Sequence, residues 1–353
     1  MKNTSKWIMP LRILLIPAGW LYGLVTEIRN LCYDWGIFKI SKFDIPIISI
    51  GNITAGGSGK TPFTIALAQF MQENYKTIAI ISRGYGRKIK GTQMVCDGHR
   101  IKGSAEELGD EPVLIARRLP GLVVVVSENR VEGVRFVSNR HKPDLIILDD
   151  AFQHRRLHRD IDVVLVHAGE CYRFNQPLPA GTLREFKHQL KRANHVILSN
   201  ADEKRVNDHP LMGRSTATTT TVFDRFIDLE NKTIPEDKVR ASDRVAAFCA
   251  IAKPEGFMQL LLDRKLNPAW FEVFKDHHIF TKDDLTRLTE KCRRYNINYL
   301  ICTEKDMVKL QSLNPELKTL TESGTRIIAC VIQLKFISNE NYFIQLRESI
   351  DNK

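Results

Sequence analysis

The 353-residue sequence contains no apolar run long enough to cross a bilayer, no C-x-x-C pair, no solenoid-type repeat and no low-complexity tail. The uncharged stretch from Ile13 to Thr26 has 14 residues, short of the roughly 20 that a spanning helix needs. No small-x-small cleavage pattern follows it, which argues against a secretory signal. Cysteine is sparse: Cys32, Cys96, Cys171, Cys249, Cys292, Cys302 and Cys330 are odd in number and widely scattered. That pattern predicts buried thiols in a reducing compartment and speaks against a disulfide framework or a zinc site. Acidic residues are also in deficit, 41 Asp and Glu against 52 Lys and Arg, a formal charge of +11. Such an excess calls for an anionic partner or surface: nucleic acid, phospholipid headgroups or a phosphorylated substrate. No nucleic-acid module is recognisable, so nucleic acid is set aside, and no obligate protein partner is implied.

What is present is globular material, 43% hydrophobic and 26% charged, long enough for a large core and two domains. The first 43 residues differ from the rest. Lys2, Lys6, Arg12, Arg29, Lys39 and Lys42 oppose only Glu27 and Asp34, among Trp7, Ile8, Met9, Leu11, Trp20, Leu21, Tyr22 and Leu24. The mixture predicts an interfacial segment in the headgroup plane of an anionic membrane, each basic residue contributing about 1 kcal/mol. Pro17, Gly19 and Gly23 weaken it further as a spanning helix. The competing reading of this segment is a helix packed on the protein's own core.

From Pro46 the pattern alternates. Strands are expected at 46–50, 77–82, 122–127, 144–148, 162–166 and 195–198, with a helix over 62–74 whose Phe63, Ala66, Leu67 and Phe70 share one face. Near-continuous apolar strands of this kind predict a parallel sheet covered on both faces. A Thr-rich stretch at 215–221 and an alternating one at 222–229 read as an extended linker. A second set of strands is expected at 245–250, 270–274, 299–303 and 326–332. The expected divisions are 1–43 (membrane segment), 44–216 (P-loop core), 217–242 (linker) and 243–353 (second α/β domain), with a cleft between the two α/β units.

The strongest chemical signal is Thr54-Ala55-Gly56-Gly57-Ser58-Gly59-Lys60-Thr61, between a strand and a helix that opens with Pro62. A phosphate cradle needs glycines to turn backbone N–H groups inward, a Lys for the β- and γ-phosphates and a hydroxyl for Mg²⁺, and all are here. Thr54 stands where the usual pattern has Gly. Leu145-Ile146-Ile147-Leu148-Asp149-Asp150 is an apolar strand ending in two carboxylates, so Thr61, Asp149 and Asp150 are the metal candidates. Ser82-Arg83-Gly84-Tyr85-Gly86-Arg87 offers two guanidinium groups on a loop, suited to phosphate contacts. Gly109-Asp110-Glu111-Pro112 places carboxylates at a helix start, where plain capping competes with a functional role. Asp276-His277-His278 follows a strand of the second domain. Adjacent histidines diverge and no third ligand is spaced for zinc, so an Asp–His base is preferred over a metal site.

Together, Ser49-Ile50-Gly51-Asn52 before the glycine loop, SRGYGR, GDEP, LDDAFQH at 148–154, PAGTLRE at 179–185, DHH and TEKD at 303–306 resemble the tetraacyldisaccharide 4′-kinase (lipid A 4′-kinase) family over nearly the whole chain. One departure is Ala151, where the family usually has Gly. The resemblance implies ATP- and Mg²⁺-dependent transfer of the γ-phosphate to the 4′-hydroxyl of tetraacyldisaccharide 1-phosphate, at the cytoplasmic face of the bacterial inner membrane in a peripheral or monotopic arrangement. It implies an α/β fold: a P-loop NTPase-type parallel-sheet domain and a smaller α/β/α domain joined by a β-linker, with an N-terminal membrane-associated helix. It also implies a catalytic dyad of Asp110 with His277, or His278, working beside Lys60. Arg83, Arg87 and Glu185 are the substrate-binding candidates. A base split between two domains implies closure before chemistry. The rival is a P-loop GTPase or metal-chaperone NTPase, because Ser199-Asn200-Ala201-Asp202 and Thr303-Glu304-Lys305-Asp306 partly match a guanine-reading N/T-K-x-D motif.

Overall fold

The computed structural model describes residues 13–169, 175–202, 209–242, 244–310 and 324–352, with Leu313, Leu317, Leu320 and Glu322. Lys2, Lys6, Trp7, Ile8, Met9, Leu11, Arg12 and Cys171 therefore lie outside the described residues. Among the described residues the strands are, in chain order, β1 (Ile47–Asn52), β2 (Ile78–Ser82), β3 (Gln93–Asp97), β4 (Val123–Val126), β5 (Leu145–Asp149), β6 (Ile161–His167), β7 (His195–Ser199), β8 (Ala217–Ile227), β9 (Thr233–Ile234), β10 (Val245–Cys249), β11 (Phe271–Val273), β12 (Tyr299–Thr303) and β13 (Arg326–Ser338).

The chain forms two compact units. The first comprises Met1–Arg83, Asn129–Thr220 and Lys335–Lys353. Its strands run parallel in the order β8-β7-β6-β1-β5-β2. β1 and β5 are buried at every position, which is why they read as unbroken apolar runs. β1 extends past its expected end at residue 50, because Gly51 and Asn52 still pair with Val164 and Leu165 of β6. The helix Lys60–Met71 buries Phe63, Thr64, Ile65, Leu67, Ala68 and Met71. The C-terminal helix Tyr342–Asp351 belongs here too: the Phe343 ring lies 5.5 Å from Phe63 and 5.7 Å from Phe70.

The first described helix, Ile16–Asp34, carries Pro17 in its opening turn, where a missing N–H has no cost. Its glycines let it lie close to its neighbours. A Cβ at Gly23 would sit 2.5 Å from the Phe186 ring, and one at Gly19 2.8 Å from the Pro177 carbonyl oxygen. Gly19, Gly23, Thr26, Asn30 and Tyr33 form its buried stripe, while Trp20, Leu21, Leu24, Val25 and Ile28 are exposed. The buried stripe is what the reading of a helix packed on the protein's own core expects. No helix of the described residues is long and apolar enough to cross a membrane.

The second unit comprises Gly84–Glu128 and Thr221–Leu334. The sequence reading carried Gly84–Glu128 with the glycine-loop core; by compactness it groups with the later strands. β11-β10-β12-β13 are parallel. Ala246, Phe248 and Ala250 enter one cluster with Leu285, Leu288 and Cys292 of helix Lys282–Arg294. Val245, Ala247 and Cys249 enter another with Phe257 and Leu261 of helix Pro254–Asp263. Alternate residues of β10 thus face opposite helical layers, the pattern of a sheet covered on both sides. β3, which the sequence reading did not expect, pairs antiparallel with β4 through a register shift between Met94 and Cys96. The stretch expected as linker is strand β8, the short β9 paired back on it, and helix Glu236–Arg240. Cys32, Cys96, Cys249, Cys292, Cys302 and Cys330 are all unpaired.

Candidate active site

In the first unit, β1 runs into a loop whose last glycine, Gly59, takes φ +79° and caps helix Lys60–Met71 without a side-chain bond. The first backbone N–H groups of that helix are therefore left for a ligand. A Cβ at Gly56, with φ +120°, or at Gly57 would meet nothing within 4 Å. Both are exposed, so an anion can approach the backbone closely. Thr54, Ala55, Ser58 and Thr61 complete the loop. Thr54 fits the position usually held by Gly because it bridges to Leu183 and is buried there. The Thr54 and Ser58 hydroxyls and the Asn52 side-chain oxygen are buried without a partner, as a site that takes an additional polar ligand would leave them.

At the end of β5, Asp149 is buried and accepts from the Ser82 hydroxyl at 3.1 Å and the Thr64 hydroxyl at 3.3 Å. Asp150 takes the left-handed conformation, φ +52°. Its Oδ1 lies 2.7 Å from Arg184 Nη1 and 3.5 Å from Lys60 Nζ. Burial pushes this carboxyl up, but Lys60 and Arg184 outweigh it and hold it below the ordinary carboxylate range. The buried Arg130 guanidinium donates to the carbonyls of Asp149 and Asp150 at 2.8 and 3.2 Å, fixing the backbone that aims both carboxylates. The Arg130 N–H donates to His154 Nε2 at 3.3 Å. Burial and the Arg130 charge push His154 down to about 4. Oxygen donors of this kind beside a phosphate-sized cradle suit Mg²⁺, which binds through one or two carboxylates and phosphate oxygens.

Two of the substrate-binding candidates are engaged inside the protein. Arg87 is buried, 2.6 Å from Glu128. Glu185 is fully buried, accepting from Asn30 at 2.7 Å and Arg192 at 2.6 Å. Their motif spacing does not reveal this, because Glu128 and Asn30 are remote in sequence and Arg192 lies outside the motif. Arg83 is exposed just past the end of β2.

The second unit holds the other constellation. Asp110 is the first residue of helix Asp110–Arg118 and only 6% exposed. Its Oδ1 accepts from the Glu111 N–H at 2.9 Å, and its Oδ2 lies 3.0 Å from His277 Nδ1. His277 has φ +57° and its N–H donates to Asp276 Oδ1 at 3.0 Å. A histidine in this sparsely used conformation needs its surroundings to hold it, a pattern common at functional sites. The exposed Tyr85 ring lies 5.3 Å from the His277 ring. His278 turns elsewhere, with Nε2 2.9 Å from Asp284 and its ring stacked on Phe274 at 4.9 Å. So His277 is the histidine that meets Asp110.

Charges tune the pair in opposite senses. Burial pushes Asp110 up, but the His277 hydrogen bond and the Lys305 charge outweigh it and bring it below its ordinary value. The Asp110 hydrogen bond raises His277 against the opposing effects of burial and Lys305. Gly109 is the N-cap and makes no side-chain cap bond, while the two oxygens of Asp110 serve different partners, the Glu111 N–H and His277. Sequence reasoning missed Arg130, Arg184 and Lys305, although the last two sit inside quoted motifs.

The chain is an α/β protein with a strand, glycine loop and helix, paired carboxylates, and a part-buried Asp–His pair. A family model for tetraacyldisaccharide-1-P 4′-kinase matches residues 11–351. Tetraacyldisaccharide 4′-kinase of Chlorobaculum tepidum is 38% identical over 326 residues, 90% of this chain and 91% of the relative. The Aquifex aeolicus protein of that name is 35% identical over 301 residues, 85% of this chain and 90% of its own. A crystal structure of LpxK from Aquifex aeolicus, an "apo" form in complex with ATP, matches with TM-score 0.79 and 31% identity, covering 96% of this chain and 99% of that one. The chain belongs to the tetraacyldisaccharide-1-P 4′-kinase family.

Proposed function

We propose that this chain transfers the γ-phosphate of ATP to the 4′-hydroxyl of tetraacyldisaccharide 1-phosphate in lipid A biosynthesis. Family membership over nearly the full chain supports the reaction. The observation that carries the mechanism is the contact between Asp110 and His277, 3.0 Å apart although 167 residues separate them in sequence. A sugar hydroxyl is a weak nucleophile and phosphoryl transfer depends on positioning and charge. In this reading the glycine loop from Thr54 to Thr61 binds the nucleotide phosphates and Lys60 carries positive charge to them. Thr61, Asp149 and Asp150 would hold Mg²⁺, which supplies charge neutralisation at the phosphates. Asp110 orients His277, whose ring accepts the proton of the acceptor hydroxyl. Radiolabelled phosphate transfer from ATP to the purified disaccharide 1-phosphate, scored for position, tests this. Label at any position other than the 4′-oxygen, or GTP used in preference to ATP, would overturn it.

The proposed location is the cytoplasmic face of the inner membrane, with the exposed side of helix Ile16–Asp34 lying in the interface. Support comes from Trp20, Leu21, Leu24, Val25 and Ile28 on that helix and from Trp35, Ile37, Phe38 and Ile40 just beyond it, all exposed. Withdrawing two such side chains from lipid removes enough apolar burial for about a tenfold or greater loss of binding. Leu21→Glu with Leu24→Glu is therefore expected to co-sediment poorly with anionic vesicles. Unchanged sedimentation would leave this face without a membrane role.

A further inference from the structure

The helix Glu304–Leu310 begins where β12 ends, and its second residue reaches the Asp–His pair. Lys305 Nζ lies 3.3 Å from Glu111 Oε1, 3.4 Å from His277 Nε2 and 3.5 Å from Asp110 Oδ2. An ammonium has protons to give and no lone pair to accept one. A hydrogen bond from it to Nε2 takes a lone pair on that nitrogen, so the contact fits the neutral ring with its proton on Nδ1, where it donates to Asp110. This is the tautomer a base needs, with Nδ1–H fixed by a carboxylate and Nε2 open to a hydroxyl.

We propose that Lys305 is a positioning residue for phosphoryl transfer, holding His277 as the neutral, base-competent tautomer until the acceptor hydroxyl displaces the ammonium from Nε2. The inference rests on the reading of Asp110 and His277 as the base. The displaced ammonium retains Glu111 and Asp110 as partners. The hydroxyl proton passes to Nε2, leaving an imidazolium paired with Asp110.

The charges around the ring give Lys305 a second effect. His277 faces Asp110 at Nδ1, and at Nε2 it faces Lys305 and, at 4.0 Å, the Asp276 carboxylate. Tyr85 flanks the ring, Glu111 acts on it through Lys305, and Lys309 acts on Asp110. Two carboxylates draw a second proton onto the imidazole, and the nearby ammonium opposes it. Without Lys305 the ring would be imidazolium, and useless as a base, over more of the pH range. A merely structural role predicts something else. Lys305 would then join helix Glu304–Leu310 to helix Asp110–Arg118, as Arg118 and Glu304 already do at 2.9 Å, and its loss would lower stability without moving a pH profile.

The test compares pH profiles of kcat/KM for the full-length parent, Lys305→Met and Lys305→Arg, with ATP, Mg²⁺ and the disaccharide 1-phosphate. Lys305→Met is expected to shift the acid limb to higher pH, its rate on the acid side falling about tenfold relative to its alkaline plateau. Lys305→Arg is expected to restore the limb. An NMR titration of the His277 ring, assigned by its loss in His277→Ala, is expected to move in the same direction. An unmoved limb and an unmoved ring titration in folded Lys305→Met overturn the proposal, whatever happens to Tm. Should that variant not fold, Lys305→Gln carries the same comparison. If instead His277→Ala and Asp110→Asn turn over at the parent rate, the base reading itself fails and takes the role of Lys305 with it.

Discussion

The glycine loop and the Asp110 cluster reach functional geometry by opposite routes. In the first, eight consecutive residues follow a strand and open a helix, so one supersecondary unit sets the course of the loop, with Thr54 and Ala55 tied to the remote Leu183 and Thr182. In the second, Asp110, His277 and Lys305 come from three separate stretches and meet only when the second unit is folded. Local geometry of the first kind survives the loss of any one side chain. Geometry of the second kind is a mutual constraint, and each group sets the protonation of the others.

The largest effect that sharpens this contrast is expected at Lys60. It is the loop's charged side chain, so Lys60→Ala is expected to bring transfer to the assay baseline while the protein still folds, with a melting point lowered by the loss of its ion pair with Asp150. Near-normal turnover by the folded variant would remove the phosphate-binding role of the loop.

The next effect breaks the contrast if it fails. Asp110→Asn preserves shape and cannot stabilise an imidazolium as a carboxylate does. It and His277→Ala are each expected to lower kcat by about 10²–10⁴. The double variant is expected to lose far less than the product of the two, because the groups act as one unit. A purely structural role at the helix start predicts an active Asp110→Asn, since the Asn side-chain oxygen can still accept from the Glu111 N–H. Fully multiplicative losses would mean that the contact in the structure has no joint chemical role.

How much was legible follows the same division. The glycine loop, β1, β5 and the carboxylates at its end announce themselves because each is contiguous and its period is visible. The Asp–His pairing was legible only through resemblance, which left His277 and His278 open, and the choice comes from Asp284 claiming His278. Arg87 and Glu185 look available in sequence and are held by Glu128, Asn30 and Arg192, partners that no local pattern reveals. The close approach at Gly19 and Gly23 was not legible, because the carbonyl of Pro177 and the aromatic ring of Phe186 that they admit lie more than 150 positions away. The strand β3 was missed because only Val95 and Cys96 of its five residues are buried, too short a pattern to stand out.

The smallest expected effect is on stability and concerns the second unit alone. Asp110 is lowered from its ordinary value of 3.8, so its contribution is complete above that value and is lost as pH falls through the lower, folded one. His277 is raised from its ordinary value of 6.5, so its contribution is complete below 6.5 and is lost as pH rises through the higher, folded one. Both are fully present only between 3.8 and 6.5. The difference in Tm between parent and His277→Ala is expected to peak in that window and to shrink on both sides. The glycine loop offers the control, because Lys60→Ala removes no partner of this pair and is expected to give a Tm difference without that peak. A His277→Ala difference that is flat from the acid to the alkaline side would mean that the contact carries no linkage, and the two regions would then differ in sequence spacing and not in physics.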